Sequence, residues 1–488
     1  MAAAVMILGC TSDAGKSWLA TALCRWYADR GVRVAPYKAQ NMSNHARVVA
    51  LGDGETGAVG EIGSAQYFQA LAARVAPQVR MNPVLLKPER DDRSQVVVMG
   101  RAQPALASMP WRERSAILRQ AADAALASLR EDYDLIVVEG AGSPAEINLA
   151  ASDYVNTGTA LATRAACLLV ADIDRGGAFA HLYGTHALMD PQVRAQVRGF
   201  VLNKFRGDAR LLAPAPQRLR EITGVPTVAV LPMLRDHGLP EEDAVPQAGA
   251  RRAGPRVVVL CAPHASNLDE FEPLRAAAVS LSFSRDPVEL SHADWLVLPG
   301  SKHTRADLAW LRASGLDALV LAHAAAGKPL LAVCGGMQLI GQRIDDPLGQ
   351  EGGVGGSDTG LGLLPLSTRF ADAKRLARAR HRFTQLDGPW SALSGLEVDG
   401  YEIHQGRSES LSPALRVALP GASSVPPLGW QHGAVLAVYL HGLFENPAVV
   451  RALFGAGTRS LDQVFDGLAA QVEASFESGF LINLLEKQ

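Results

Sequence analysis

Short apolar runs that stop at a glycine or at a charged or nucleophilic residue constrain this chain more than any other feature. They fall at residues 5–8, 32–36, 135–138, 166–170, 200–203 and 227–231, and again at 256–261, 295–298, 329–333 and 435–440. Each is apolar at successive rather than alternate positions. That pattern belongs to strands buried on both faces, which occur where helices cover both sides of a parallel sheet. The expected class is therefore α/β. The pattern fails between Pro232 and Pro255, where LPMLRDHGLPEEDAVPQAGARRAGP is rich in proline, glycine and charge. A chain of 488 residues is also too long for one core. The expected division is a first α/β domain over 1–235, a linker over 236–254, a second α/β domain over 255–450 and a helical extension over 451–488. The glycine-dense stretch 350–362 is expected to be a surface loop.

Charge excludes some partners. Lys and Arg total 47 against 49 Asp and Glu, a net charge of −2. No basic excess points to nucleic acid or to a membrane surface. No apolar run of about eighteen residues is present, so no membrane span is expected. The start, MAAAVMILGC, lacks a basic segment and runs into a glycine loop, so it reads as a first strand rather than a signal peptide. The cysteines Cys10, Cys24, Cys167, Cys261 and Cys334 are odd in number and never in CxxC spacing. Neither a disulfide framework nor a structural zinc site is expected, and a reducing cytoplasm fits best. A homo-oligomer is left open.

GCTSDAGKS, residues 9–17, lies between an expected strand and a helix expected over 16–30. Small residues there let backbone N–H groups face phosphate oxygens, and the helix N-terminus adds positive character. Gly9, Thr11 and Gly15 shape this loop, Lys16 would reach the β and γ phosphates of ATP, and the Ser17 hydroxyl would ligate Mg²⁺. A GxxxxGK loop would put its first glycine at position 10, where Cys10 stands; Gly9 is one residue earlier. The longer loop resembles that of dethiobiotin synthetase and its relatives, which activate carboxylates with ATP. Glu139, closing DLIVVEG, is the candidate strand-end carboxylate for the metal. Glu61 in GEIGSAQ is a further metal candidate, and Lys38 in YKAQNMSNH a candidate to neutralise phosphate charge. Alone, Lys38 also reads as a solvated lysine and Glu61 as a helix-start glutamate.

PLLAVCGGMQLIG places Cys334 directly after a strand, with Gly335 and Gly336 opening a helix. This is a nucleophile elbow in cysteine form. The helix N-terminus favours the thiolate, and the Gly335 N–H is a candidate oxyanion donor, with Gly300 and Ser301 of LVLPGSKHT supplying a second. His441, at the end of VLAVYLHG, is the candidate base, because strand-end residues of one parallel sheet emerge on the same edge. Class I glutamine amidotransferase domains resemble this half. They commonly carry His-x-Glu, but the position two after His441 is Leu443. Glu445, another polar group, or a Cys-His dyad alone are the alternatives for the third member. His404 in GYEIHQG reads either as facing a ligand or as an ordinary surface histidine. No histidine pair has zinc-ligand spacing.

Together these stretches resemble the cobyric acid synthase family, glutamine-hydrolysing amidases of cobalamin biosynthesis. KAQNMS, MNPVLLKP, SQVVVMG, VEGAGSPAEINL, ADIDRGGAFA, NKFRGD, CGGMQ and HGLFEN carry the resemblance, in family order along nearly the whole chain. It implies a P-loop domain followed by a class I amidotransferase-like domain. It implies ATP, Mg²⁺, glutamine and a corrinoid as the small molecules used. The reaction implied is amidation of the b, d, e and g carboxylates of adenosylcobyrinic acid a,c-diamide. Asn203 and Lys204 are expected near the nucleotide base. Two rival readings are the sister enzyme, cobyrinic acid a,c-diamide synthase, and a non-catalytic, ParA-like nucleotide-dependent partner.

Overall fold

The computed structural model describes residues 2–51, 58–90, 93–234, 237–239, 254–351, 353–421, 426–455 and 459–486. The expected linker, 236–254, lies almost wholly outside them. The first half is built on a six-stranded parallel sheet from β1 (Ala3–Gly9), β2 (Val34–Tyr37), β3 (Leu135–Glu139), β4 (Ala166–Asp172), β5 (Val197–Phe205) and β6 (Thr227–Pro232). Their spatial order is β6-β5-β4-β1-β3-β2, and every neighbouring pair is parallel. Residues of β1 and β3 are buried on both faces, which is why their sequences do not alternate. Helix α1 (Lys16–Ala28) follows β1 through the glycine loop, and α2 (Ser64–Ala72) packs beside it.

The second half has a seven-stranded sheet: β7 (Arg256–Leu260), β8 (Ser280–Ser284), β9 (Trp295–Leu298), β10 (Leu330–Val333), β11 (Arg416–Leu419), β12 (Gly429–His432) and β13 (Val435–Val438). The order is β8-β7-β9-β10-β13-β12-β11, parallel from β8 to β13 and antiparallel beyond. The short helix α3 (Gly335–Ile340) leaves β10.

Three features depart from the sequence reading or go beyond it. Between β2 and β3 the chain adds two small sheets, one of them the antiparallel pair Ala46–Ala50 and Val59–Gly63. A long antiparallel hairpin, Leu366–Arg382 with Glu397–Ser410, is set between β10 and β11. The stretch 350–362 is not simply a surface loop. It contains a strand, Gly356–Thr359, paired with Arg343–Asp346, and Glu351 turns inward to accept hydrogen bonds from the Thr304 and Arg305 N–H groups, 2.9 Å each.

The C-terminal helix α4 (Leu461–Ser475) returns to the first half and packs on α1. Ser460 caps it, its hydroxyl accepting from Gln463 N–H while the Gln463 side chain accepts from Ser460 N–H. The buried Arg25 of α1 reaches Asp462 at 3.0 Å and Asp466 at 2.7 Å. Val464, Phe465, Leu468 and Val472 join the core that includes Leu19, Leu23 and Trp26. No described helix is long and apolar enough to cross a membrane.

Candidate functional site

The glycine loop sits at the C-terminal edge of β1, the edge where open parallel sheets bind ligands. Gly15 has φ 97°, a conformation that favours glycine. A Cβ at Gly15 would lie 1.9 Å from the Asn203 amide nitrogen, so only a glycine fits. Asn203, near the end of β5, donates from that nitrogen to the Ala14 carbonyl at 2.9 Å and braces the loop from beneath. Lys16 folds back over the loop, its Nζ donating to the Thr11 carbonyl at 3.1 Å. A Cβ at Gly9 would meet that Nζ at 2.9 Å, which gives the displaced first glycine a steric reason.

Next to the loop, Glu139 ends β3 in register with Ile7 of β1. Its Oε1 accepts from the Ser17 hydroxyl and from Lys38 Nζ, both at 2.8 Å; its Oε2 accepts from Gln69 at 2.5 Å and Gln66 at 3.4 Å. Burial works against this carboxylate, but Lys38, with Ser17 and Gln69, outweighs it and holds the group below the usual range. Lys204, at φ 60°, pairs with Asp172 at 3.0 Å. Gln66 and Gln69 escaped the sequence reading; their three-residue spacing on α2 was the available signal.

Glu61 does not join this group. It is buried between Lys87 at 2.6 Å and Lys374 at 2.7 Å, the latter from the second half. Burial alone would raise its carboxyl, but the two ammonium groups more than reverse that and hold it far below the usual range. Both its oxygens serve this ion pair, which bridges the two halves. Burial pushes Lys87 down to about 7 and Lys302 down to about 8. Both line a cavity of about 60 Å³ that also holds Cys334 and His441.

Cys334 links β10 to α3 with φ 50° and ψ −105°. A non-glycine residue at positive φ is strained, and here the strain presents the sulfur at the sheet edge. The residue is 6% exposed, yet it opens onto that cavity. A Cβ at Gly335 would lie 2.5 Å from the Ser301 backbone nitrogen, so the two turns meet beside the sulfur. Gly300 and Ser301 pair antiparallel with Ser266 and Ala265, and the Ser301 hydroxyl donates to Asp307 at 2.6 Å.

β10 and β13 are parallel neighbours, with Val333 opposite Val438. The edge they share brings His441 and Cys334 onto the same cavity. The third member is Glu270. Its Oε1 lies 2.8 Å from His441 Nδ1, and its Oε2 accepts from Gly442 N–H at 2.7 Å. Burial disfavours the imidazolium, but Glu270 and the Cys334 sulfur outweigh it and lift His441 to about 10. Glu445 is not the orienting carboxylate; it pairs with Arg47 at 2.6 Å. Glu270 stands in LDEFEPLRA, a 3₁₀ segment whose apolar Leu268, Phe271 and Leu274 are all buried. That three-residue spacing was the only hint that a carboxylate faces inward there. His404 lines the cavity and is held by Glu402 at 3.1 Å, by the Gly406 carbonyl at 2.8 Å and by stacking on Tyr439.

A glycine-loop nucleotide domain and a Cys-His-Glu amidotransferase domain in one chain define a class of nucleotide-dependent glutamine amidotransferases. The comparisons agree with that division. Residues 5–248 match the CobQ/CobB/MinD/ParA nucleotide binding domain, and residues 256–449 match the CobB/CobQ-like glutamine amidotransferase domain. A relative from Leptothrix cholodnii named cobyric acid synthase is 59% identical over 99% of this chain and 97% of its own length. Relatives of the same name from Methylibium petroleiphilum and Acidovorax ebreus are 58% and 56% identical, covering 99% and 98% of this chain and 97% and 98% of their own lengths. The chain belongs to the cobyric acid synthase family.

Proposed function

We propose that this chain uses ATP and glutamine to amidate the b, d, e and g carboxylates of adenosylcobyrinic acid a,c-diamide, giving adenosylcobyric acid. The observation that carries the reading is the pairing of Cys334, His441 and Glu270 around one cavity with a Ser17–Glu139 phosphate-loop site in one chain of this family. The active sites are assigned as follows. His441 takes the Cys334 proton, and the thiolate attacks the δ-carbonyl carbon of glutamine. Gly335 and Ser301 N–H groups, with Gly300 beside them, receive the oxyanion. The C–N bond breaks, and His441 returns the proton to ammonia as it leaves. Water then cleaves the thioester and frees glutamate and the thiol.

In the first half, the loop amides and Lys16 hold the triphosphate. Thr11 and Lys38 sit beside it; Asn203 braces the loop, and Lys204 lies toward the base. A carboxylate oxygen of the corrinoid attacks the γ-phosphorus and ADP leaves. Ammonia attacks the resulting acyl phosphate and inorganic phosphate departs. Mg²⁺ typically takes one or two protein groups and keeps several waters, so the Ser17 hydroxyl and the Glu139 carboxylate fit it. Bound there, it would offset triphosphate charge. A cytoplasmic setting is supported by five cysteines that are all unpaired.

Cys334→Ala is expected to lose glutamine-driven amidation and to keep amidation driven by high ammonium. Lys16→Ala is expected to lose both. A folded Cys334→Ala protein inert toward ammonium would refute the division of labour. Activity confined to the unamidated corrinoid would favour cobyrinic acid a,c-diamide synthase instead.

A further inference from the structure

We propose that Arg47, a residue of the nucleotide-binding half, is a positioning residue for the glutamine-hydrolysing triad of the other half; this rests on the triad reading above. Arg47 lies in the strand Ala46–Ala50, and its side chain is 1% exposed. Its guanidinium meets three groups of the second half at once. Nη2 is 2.6 Å from Asp269 Oδ2 and 2.6 Å from Glu445 Oε1, and Nη1 donates to the Tyr401 hydroxyl.

Each of these groups abuts the triad. Asp269 directly precedes Glu270 in the same buried segment. The Tyr401 ring stacks on the His441 imidazole, 5.2 Å between centroids and 16° between planes. The two backbones also exchange hydrogen bonds, His441 N–H to the Tyr401 carbonyl at 2.9 Å and Tyr401 N–H to the His441 carbonyl at 3.2 Å. Glu445 follows the turn whose Gly442 N–H donates to Glu270. One cation from the first half thus pins the segment that supplies the carboxylate, the ring that backs the imidazole and the turn after it. Asn267 adds a second tie: its amide brackets Ala46, accepting from its N–H and donating to its carbonyl at 3.2 Å each, and donates to the Tyr401 hydroxyl at 2.8 Å.

The strand that carries Arg47 pairs with Val59–Gly63, which runs straight into α2. Gln66 and Gln69 of α2 hold Glu139 at the phosphate loop. The hairpin and the helix it feeds therefore adjoin the supports of both reaction centres.

Charge gives the role a signature that packing alone would not. Arg47 faces Asp269, Glu270, Glu445 and Tyr401 of the second half and Tyr67 of its own; His441 stacks behind Tyr401, and His45 pairs with Asp269. Removing a buried positive charge raises the proton affinity of every group in reach. Both limbs of the pH profile of glutamine hydrolysis should then move to higher pH.

The test uses the full chain and measures glutamate release across a pH series, beside ammonium-driven amidation. Arg47→Met is expected to lose about 100-fold in kcat with the glutamine KM changed less than about threefold, and to show a profile displaced to higher pH. Its ammonium-driven amidation should persist. Arg47→Lys, which keeps the charge, should restore the profile and most of kcat. Should Arg47→Met fail to fold, Tyr401→Phe removes the hydroxyl that Arg47 and Asn267 both hold, without altering charge, and its kcat should fall several-fold with the profile unmoved. Unchanged kcat in Arg47→Met or in Tyr401→Phe would overturn the proposal. So would an Arg47→Met kcat loss with no displacement of the profile, or an equal loss with ammonium. A wild-type chain that releases no glutamate would instead overturn the triad reading itself.

Discussion

Replacing Glu270 with glutamine tests the triad at its least expected member. The carboxylate accepts from His441 Nδ1 at 2.8 Å and from Gly442 N–H at 2.7 Å, in a fully buried setting. The net rise of His441 from 6.5 to about 10 is the balance of burial against Glu270 and the Cys334 sulfur. At 1.36 kcal/mol per tenfold, that rise corresponds to ~5 kcal/mol of preference for the imidazolium. If Glu270 supplies half, its neutralisation costs ~2–3 kcal/mol, or roughly 10²-fold in the step that forms the thiolate–imidazolium pair. An amide can also present its NH₂ to Nδ1 and favour the wrong tautomer, which adds to the loss. Glu270→Gln should therefore release glutamate about 10²–10³-fold more slowly, with ammonium-driven amidation intact. The pH dependence follows from the sign of the shift. His441 has a folded value above its unfolded one, so the pair's contribution to stability is full below 6.5 and fades as pH rises through about 10. In Glu270→Gln that alkaline loss of stability should shrink, and the alkaline limb of hydrolysis should move down. A kcat within threefold of wild type would show that the carboxylate does not orient His441.

Glu61→Gln leaves the buried Lys87 and Lys374 without their shared carboxylate; thermal unfolding should reveal destabilisation of about 3 kcal/mol, and an unchanged melting temperature would contradict the bridge. Because the folded Glu61 carboxyl lies below its unfolded value, its contribution is present above about 4.5 and disappears as pH falls further, so the wild type should lose stability on acidification more steeply than Glu61→Gln. Gly300→Ala would place a Cβ 3.0 Å from His441 Cε1 and from Ser266 Oγ; glutamine hydrolysis should fall by at least about tenfold while ammonium-driven amidation persists, as paired assays would detect. Chelating divalent cations should stop ATP-dependent amidation and leave glutamine binding at Cys334 intact, measurable by alkylation of the thiol with a glutamine analogue.

What the sequence disclosed follows from how each feature is encoded. A strand buried on both faces writes a continuous apolar run, so β1, β3, β4, β10 and β13 could be read directly. Cys334 and His441 lie just past two such runs, and parallel neighbours put their ends together. Glu270 is different. It stands 171 positions from His441 in a 3₁₀ segment, so neither strand nor helix periodicity marks it. The ion pair of Glu61 is hidden for a related reason. A carboxylate in a glycine-rich stretch near a phosphate loop has the local look of a metal ligand, but its partner Lys374 is 313 positions away.

Arg47 shows the same limit more sharply. In sequence it is one cation in NHARVVA; in the fold it is buried because Asp269, Tyr401 and Glu445 arrive from three separate segments. A buried charge is tolerable only when such partners exist, since an isolated one would cost several kcal/mol. The environment that makes the residue matter is therefore supplied by chain distant from it, and local pattern carries no trace of it. Apolar periodicity reports which face of an element is covered. It does not report which charge covers it, and that is the information an interface between two reaction centres is made of.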